Sequence, residues 1–179
     1  VDAVRTSLAP LPETAGELKA MAAILGAAND NLFLGRRATE RNAKTRDLSD
    51  YRVMAFATHG LVAGDLKGLA EPALVLTPPR TGTQMDDGLL TASEVAQLKL
   101  AADLVVLSAC NTASTDGTPG AEGLSGLAKA FFYAGSRSLL VSHWPVLSDA
   151  AVKLTTRMLK EAASGNGVGR AEALRRSML

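Results

Sequence analysis

The stretch "VVLSACNTA" (Val105 to Ala113) holds Cys110, the single cysteine of the chain, and "VMAFATHG" (Val53 to Gly60) holds His59, one of its two histidines. In each stretch an apolar run delivers a reactive side chain to the point where a strand should end. Cysteine attacks as its thiolate, and an imidazole with an unperturbed pKa of ~6.5 can take the thiol proton or stabilise the anion. The two residues are 51 positions apart, and a histidine ~50 residues ahead of the cysteine is the spacing of one known class of cysteine nucleophile pair. Gly60, directly after the histidine, leaves room for a carbonyl to approach its backbone N–H. With the Cys110 N–H it can form an oxyanion hole.

Plainer readings stand beside this one. A lone buried cysteine is commonly a small hydrophobe. His143, at the end of "SLLVSH", reads as a packed or rim histidine. One cysteine and two histidines have neither a fourth ligand nor a zinc-type spacing, so no metal site is assigned. No cofactor is assigned either. The phosphate-binding pattern G-x-x-x-x-G-K-[ST] is absent, and "GNGVG" does not join a strand to a helix as a dinucleotide fingerprint must. The G-x-S-x-G elbow of serine hydrolases is also missing.

The elements that must position these residues follow from hydropathy periodicity. Glu13 to Ala28 places Leu18, Met21, Ala22 and Leu25 on one helical face. "NLFLG" reads as a short strand closed by Gly35, and Ala38 to Arg46 as a weaker helix. Arg52 to Thr58 is apolar enough for a strand covered on both faces, and "ALVLTP" is another, stopped by Pro78-Pro79. Thr91 and Glu94 have capping-box spacing, so a short helix should carry Val95 and Leu98 inward. The strand Asp103 to Ala109 leads to Cys110, and the polar loop from Asn111 to Gly123 is expected to be mobile. Beyond it a helix aligns Leu124, Leu127, Ala128 and Phe131 and ends at Gly135. "SLLVSHW" is the next strand. Ser148 is the expected N-cap of a helix through Ala162, with Val152, Thr155, Thr156 and Leu159 on one stripe. "SGNGVG" links it to a last helix from Arg170 to Leu179.

Strands alternating with helices predict an α/β domain, with strands ending near Thr58, Thr77, Ala109 and Trp144 in one mainly parallel sheet covered by helices on both faces. Ligands of such sheets bind beyond the carboxyl ends of the strands, where His59, Cys110 and His143 fall.

Composition narrows the function classes. A chain of 179 residues suits one domain from 1 to 179 better than two. A net charge of +1 and 4% aromatic residues supply neither the basic stripe nor the stacking surface that nucleic acid requires. Apolar runs are strand-sized, which predicts no membrane span. The opening "VDAVRTSLAPLPE" lacks a signal peptide's pattern. One cysteine forms no internal disulfide, which fits a reducing, cytoplasmic setting. The chain begins without Met, and further sequence is expected on its N-terminal side.

At "YRVMAFATHG", "DDGLLTASEVAQLKLAADLVVLSACNTA", "GAEGLSGLAKAFFYAGSRSLLVSHWPV" and the helix that follows, the sequence resembles the CHAT family. These are bacterial caspase-like domains often found beside tetratricopeptide repeats, related to separases within the caspase-like (clan CD) cysteine peptidases. The resemblance runs from about Leu11 to the C-terminus in order and spacing. It implies a caspase-like three-layer α/β sandwich and hydrolysis of peptide bonds in a protein or peptide substrate through a thioester. His59 and Cys110 match the catalytic histidine and cysteine, with Gly60 lining the oxyanion site. It also implies a neighbouring tetratricopeptide or other regulatory domain. Because N-terminal sequence is expected beyond this chain and the loop from Asn111 to Gly123 is expected to be mobile, the isolated domain is expected to be weakly active or silent. Two positions depart from the pattern. His143 stands before the tryptophan where an apolar or small residue is expected, and in "WPVLSD" the acid comes at Asp149 rather than directly after the valine.

Related separase-like peptidases favour a basic P1 residue, which implies an acid in the S1 pocket. The candidates are Asp149, then Asp116 and Glu122. Asp149 also has a simpler explanation, since an acid in a first helical turn is favoured by the helix dipole. Two function classes remain open on sequence alone: a cysteine endopeptidase, and a caspase-like interaction module that retains the dyad without cleaving.

Overall fold

The structure is a computed structural model that describes residues 2–108, 123–141, 148–164 and 167–179. Its helices are α1 (Asp2–Ser7), α2 (Thr14–Leu25), α3 (Glu40–Thr45), α4 (Ala92–Val95), α5 (Gly123–Tyr133), α6 (Ser148–Ala163) and α7 (Arg170–Ser177). Its strands are β1 (Val53–Ala57), β2 (Gly60–Leu61), β3 (Ala73–Val75), β4 (Leu89–Thr91), β5 (Leu104–Ser108) and β6 (Leu139–Val141). They fall into two compact units, Val1–Pro10 with Gly35–Pro145, and Leu11–Leu34 with Val146–Leu179.

In the first unit a parallel sheet has the order β1-β5-β6. Leu104 to Leu107 of the central strand are all buried, as a continuous apolar run requires when both faces of a sheet are covered. The register lines up Met54, Val105 and Leu139 in one row and Phe56, Leu107 and Val141 in the next. These rows share a core with Leu127, Ala130, Phe131 and Ala134 of α5, where Phe56 meets Phe131 at 5.6 Å between ring centroids. Sequence reading places β1 under cover on both faces too. It is half-buried throughout, because in this sheet it is an edge strand.

The amino ends of the three strands are tied together by charge. Asp103, just before β5, accepts from Arg52 Nε at 2.7 Å and from Arg137 Nη1 at 3.2 Å, the residues just ahead of β1 and β6. Both arginines are exposed, so each pair adds little to stability.

A second sheet corrects the expectation of one mainly parallel sheet. The "ALVLTP" strand does not join the parallel set; as β3 it lies between β2 and β4, antiparallel to both. Ala73, Leu74 and Val75 are all buried. A short, fully buried apolar run looks the same in either kind of sheet, so its hydropathy could not reveal the pairing. The expected strand at "NLFLG" is likewise absent: 3₁₀ turns at Asn29–Asn31 and Gly35–Arg37 flank half-buried residues that join no ladder.

Other expectations hold locally. Glu94 accepts the Thr91 N–H at 3.0 Å at the start of α4, and Val95 and Leu98 are buried. Gly135 follows α5 with φ +111°, and a Cβ there would lie 2.1 Å from the Leu100 carbonyl oxygen. A pair of carboxylates straddles Lys44, whose Nζ donates to Glu40 Oε1 at 2.7 Å and Glu94 Oε1 at 2.8 Å. The buried Glu40 also takes the amides of Asp87 and Gly88, fastening α3 to the chain that enters β4.

In the second unit α6 packs against α7 and α2. Thr155 and Leu159 of the expected stripe are buried and Val152 and Thr156 half-buried, while Thr155 Oγ1 donates to the buried Glu17 Oε1 of α2 at 3.2 Å. On α2 the buried face is Glu17 and Met21, and Leu25 is exposed, because the helix stops there at a left-handed Gly26. Among the described residues no helix is long and apolar enough to cross a membrane.

Candidate functional site

The carboxyl end of β1 is where the two sheets of the first unit join. After Ala57 only Thr58 and His59 intervene before β2 begins at Gly60. Thr58 donates its N–H to the Ser108 carbonyl at 3.2 Å, one bond beyond the parallel ladder. Its hydroxyl donates to the Val75 carbonyl. Val75 returns its own N–H to the His59 carbonyl at 2.9 Å. His59 is thus held by backbone on the side of β3 and by covalent continuity with β1, and its side chain is half-buried.

His59 Nε2 is 2.7 Å from the Ala9 carbonyl oxygen. A carbonyl only accepts, so Nε2 carries the proton, and in the neutral ring Nδ1 is left with a lone pair. In that tautomer Nδ1 is the ring nitrogen free to accept a proton.

Gly60 is buried. The bond from Val75 N–H to His59 C=O makes Gly60 and Leu74 a non-hydrogen-bonded pair of the β2–β3 ladder. Its amide N–H therefore points away from β3. That orientation leaves the amide outside the pairing of its own sheet, as a donor to a developing oxyanion must be.

Each residue of β1 faces the β5 residue 51 positions later, from Val53↔Leu104 to Ala57↔Ser108. That is the interval between His59 and Cys110. The register runs only as far as Ala57 and Ser108, the last residues of β1 and β5. Cys110, Asp116, Glu122 and His143 lie outside the described residues, as does most of the expected mobile loop at 111–123. Asp149 falls in the first turn of α6, in the second unit, with its side chain outside the described part. Among the described residues no group of three His, Cys, Asp or Glu side chains could hold a metal ion.

Two participants escaped sequence reading. Thr58 was legible only as the last residue of a strand, although a hydroxyl next to a strand-end histidine is a signal that could have been read. Ala9 carries no signal, since it contributes only a backbone carbonyl from 50 residues away.

Comparison with known proteins gives two matches of different reach. The CHAT domain matches residues 1–179. Over 58 residues, 32% of the chain, the sequence is 45% identical to tetratricopeptide repeat protein 28 of Mus musculus, and this stretch covers 2% of that protein. No solved structure matches.

Proposed function

Because the chain belongs to the CHAT domain family, we propose that it is a cysteine endopeptidase in which His59 and Cys110 form the catalytic dyad. The observation that carries this reading is the register of β1 against β5, which pairs residues 51 positions apart as far as Ala57 and Ser108, the offset that also separates His59 from Cys110. Cys110 follows Ser108 by two residues, a reach of at most ~7 Å along the chain. In the same reading residues 1–179 make one peptidase domain with the three-layer, caspase-like arrangement.

The chemistry follows from the site. His59 Nδ1 takes the proton from Cys110 Sγ, and the Nε2–H bond to Ala9 steadies the imidazolium. The thiolate attacks the scissile carbonyl, and the oxyanion of the tetrahedral intermediate accepts from the N–H groups of Gly60 and Cys110. Collapse of that intermediate breaks the C–N bond, with the His59 proton passing to the departing amine. Water, deprotonated by the regenerated imidazole, then attacks the thioester and releases the acid product with the free thiol. No cofactor enters these steps. The substrate is a protein or peptide, and Asp149, then Asp116 and Glu122, are the acids we propose for recognising a basic P1 side chain. A tetratricopeptide or other regulatory domain is the proposed partner in control, in keeping with the name of the mouse relative. A cytoplasmic setting would keep the thiol reduced.

The test is cleavage of a P1-diverse peptide library by the wild-type chain and by Cys110→Ala. Cleavage after basic residues that disappears in the alanine variant supports the reading. Undiminished cleavage by Cys110→Ala contradicts it, and a library left uncut by a wild-type protein whose Cys110 also resists active-site labelling favours the interaction module instead.

A further inference from the structure

Thr58 is bonded to both sheets at the point where the chain passes from one to the other. Its N–H prolongs the parallel ladder to Ser108, at 3.2 Å, and its hydroxyl donates to Val75 of the antiparallel sheet. In a regular antiparallel ladder the next rung after Gly60↔Leu74 would pair His59 with Val75 in both directions. Half of that rung exists, from Val75 N–H to the His59 carbonyl at 2.9 Å. The other half would run from the His59 N–H to the Val75 carbonyl, and the Thr58 hydroxyl occupies that acceptor. The pairing of β2 with β3 accordingly ends at Gly60.

We infer that Thr58 is a positioning residue whose hydroxyl stops the β2–β3 ladder one residue short of His59 and so sets where the imidazole leaves the sheet. The inference rests on the dyad reading above. Its physical basis is competition for one acceptor. Val75 is buried, and a buried carbonyl takes a donor where one is in reach. Without the hydroxyl the nearest candidate is the His59 N–H. Accepting it would draw His59 into the pleat of the antiparallel sheet, where its side chain stands perpendicular to the strands. The imidazole would then leave the Ala9 carbonyl, and with it the tautomer that exposes Nδ1. Valine has threonine's shape without the donor, whereas serine keeps the donor without the extra methyl group.

The initial rate of alkylation of Cys110 by iodoacetamide, followed from about pH 5 to pH 9, separates the outcomes. The chains to compare are wild type, Thr58→Val, Thr58→Ser and His59→Gln. In the wild type a dyad gives fast alkylation well below the ordinary thiol pKa of ~8.5, and His59→Gln returns the profile to that of a free thiol. Thr58→Val should lose at least about tenfold at neutral pH and move its profile toward that of His59→Gln, while Thr58→Ser stays within about threefold of wild type. Thr58→Ala carries the same expectation as Thr58→Val if the valine variant loses its fold. A Thr58→Val profile equal to wild type, beside a slow His59→Gln, overturns the role of Thr58 and leaves the dyad standing. Thr58→Ser as slow as Thr58→Val also overturns it, because side-chain shape rather than the hydroxyl would then matter. His59→Gln equal to wild type overturns the dyad and this inference together.

Discussion

His59 donates its Nε2–H to the carbonyl of Ala9 at 2.7 Å, across 50 residues of sequence. This one bond decides which nitrogen of the imidazole is available for chemistry. In long-range ¹H–¹⁵N spectra at a pH where the ring is neutral, His59 should show Nε2 as the protonated nitrogen and Nδ1 as the bare one. The opposite assignment would leave Nδ1 unable to act as the base.

The carboxylate pair around Lys44 makes a prediction about pH. Burial raises the Glu40 carboxyl above its ordinary 4.5, against the opposing hydrogen bonds from Lys44 and the amides of Asp87 and Gly88. Its folded-state pKa lies above the unfolded one, so the folded chain holds this proton more tightly, and the contribution to stability falls as pH rises through that window. Replacing Lys44 with Met leaves the two carboxylates facing each other and pushes Glu40 higher still. The variant should lose about 3 kcal/mol at neutral pH, as for a buried pair stripped of one partner. The deficit should shrink as pH falls toward 4.5. Urea denaturation at several pH values checks this; a deficit that does not vary with pH would contradict it.

Gly135→Ala should be among the most damaging single methyl additions in the first unit. The residue sits at φ +111°, and the new Cβ would lie 2.1 Å from the Leu100 carbonyl oxygen, which is backbone and has little room to give. Backbone strain and overpacking together should cost about 3 kcal/mol. A thermal shift of no more than a degree or two would show that the α5 exit is more forgiving than its geometry implies.

Much of this architecture could be read from residue patterns, and the failures share a cause. Where a long apolar run or a cap dictates local structure, as in Leu104–Ser108 or at Thr91 and Glu94, sequence and structure agree. The helix α1 and the two-residue strand β2 left no trace, being too short for periodicity to register. The "ALV" strand is evident in the sequence but its sheet is not, because pairing partners are settled by the neighbours on either side and not by the run itself. For the site, the residue types and the interval from His59 to Cys110 were visible at once. The register of β1 against β5, with the same 51-residue offset, and the backbone contact from Ala9 depend on long-range pairing that no local pattern carries.

In the proposed mechanism Cys110 is a nucleophile activated by His59. The most direct measurement is covalent capture: incubate the chain with a peptidyl chloromethylketone bearing arginine at P1, digest it, and locate the adduct by mass spectrometry. One adduct should form, on Cys110, at least about a hundredfold more slowly in His59→Gln. None should form in a Cys110→Ala chain that melts at the wild-type temperature. If the wild-type chain stays unlabelled by this reagent and by counterparts with acidic or apolar P1 residues, or if His59→Gln is labelled as fast as wild type, the dyad does not operate.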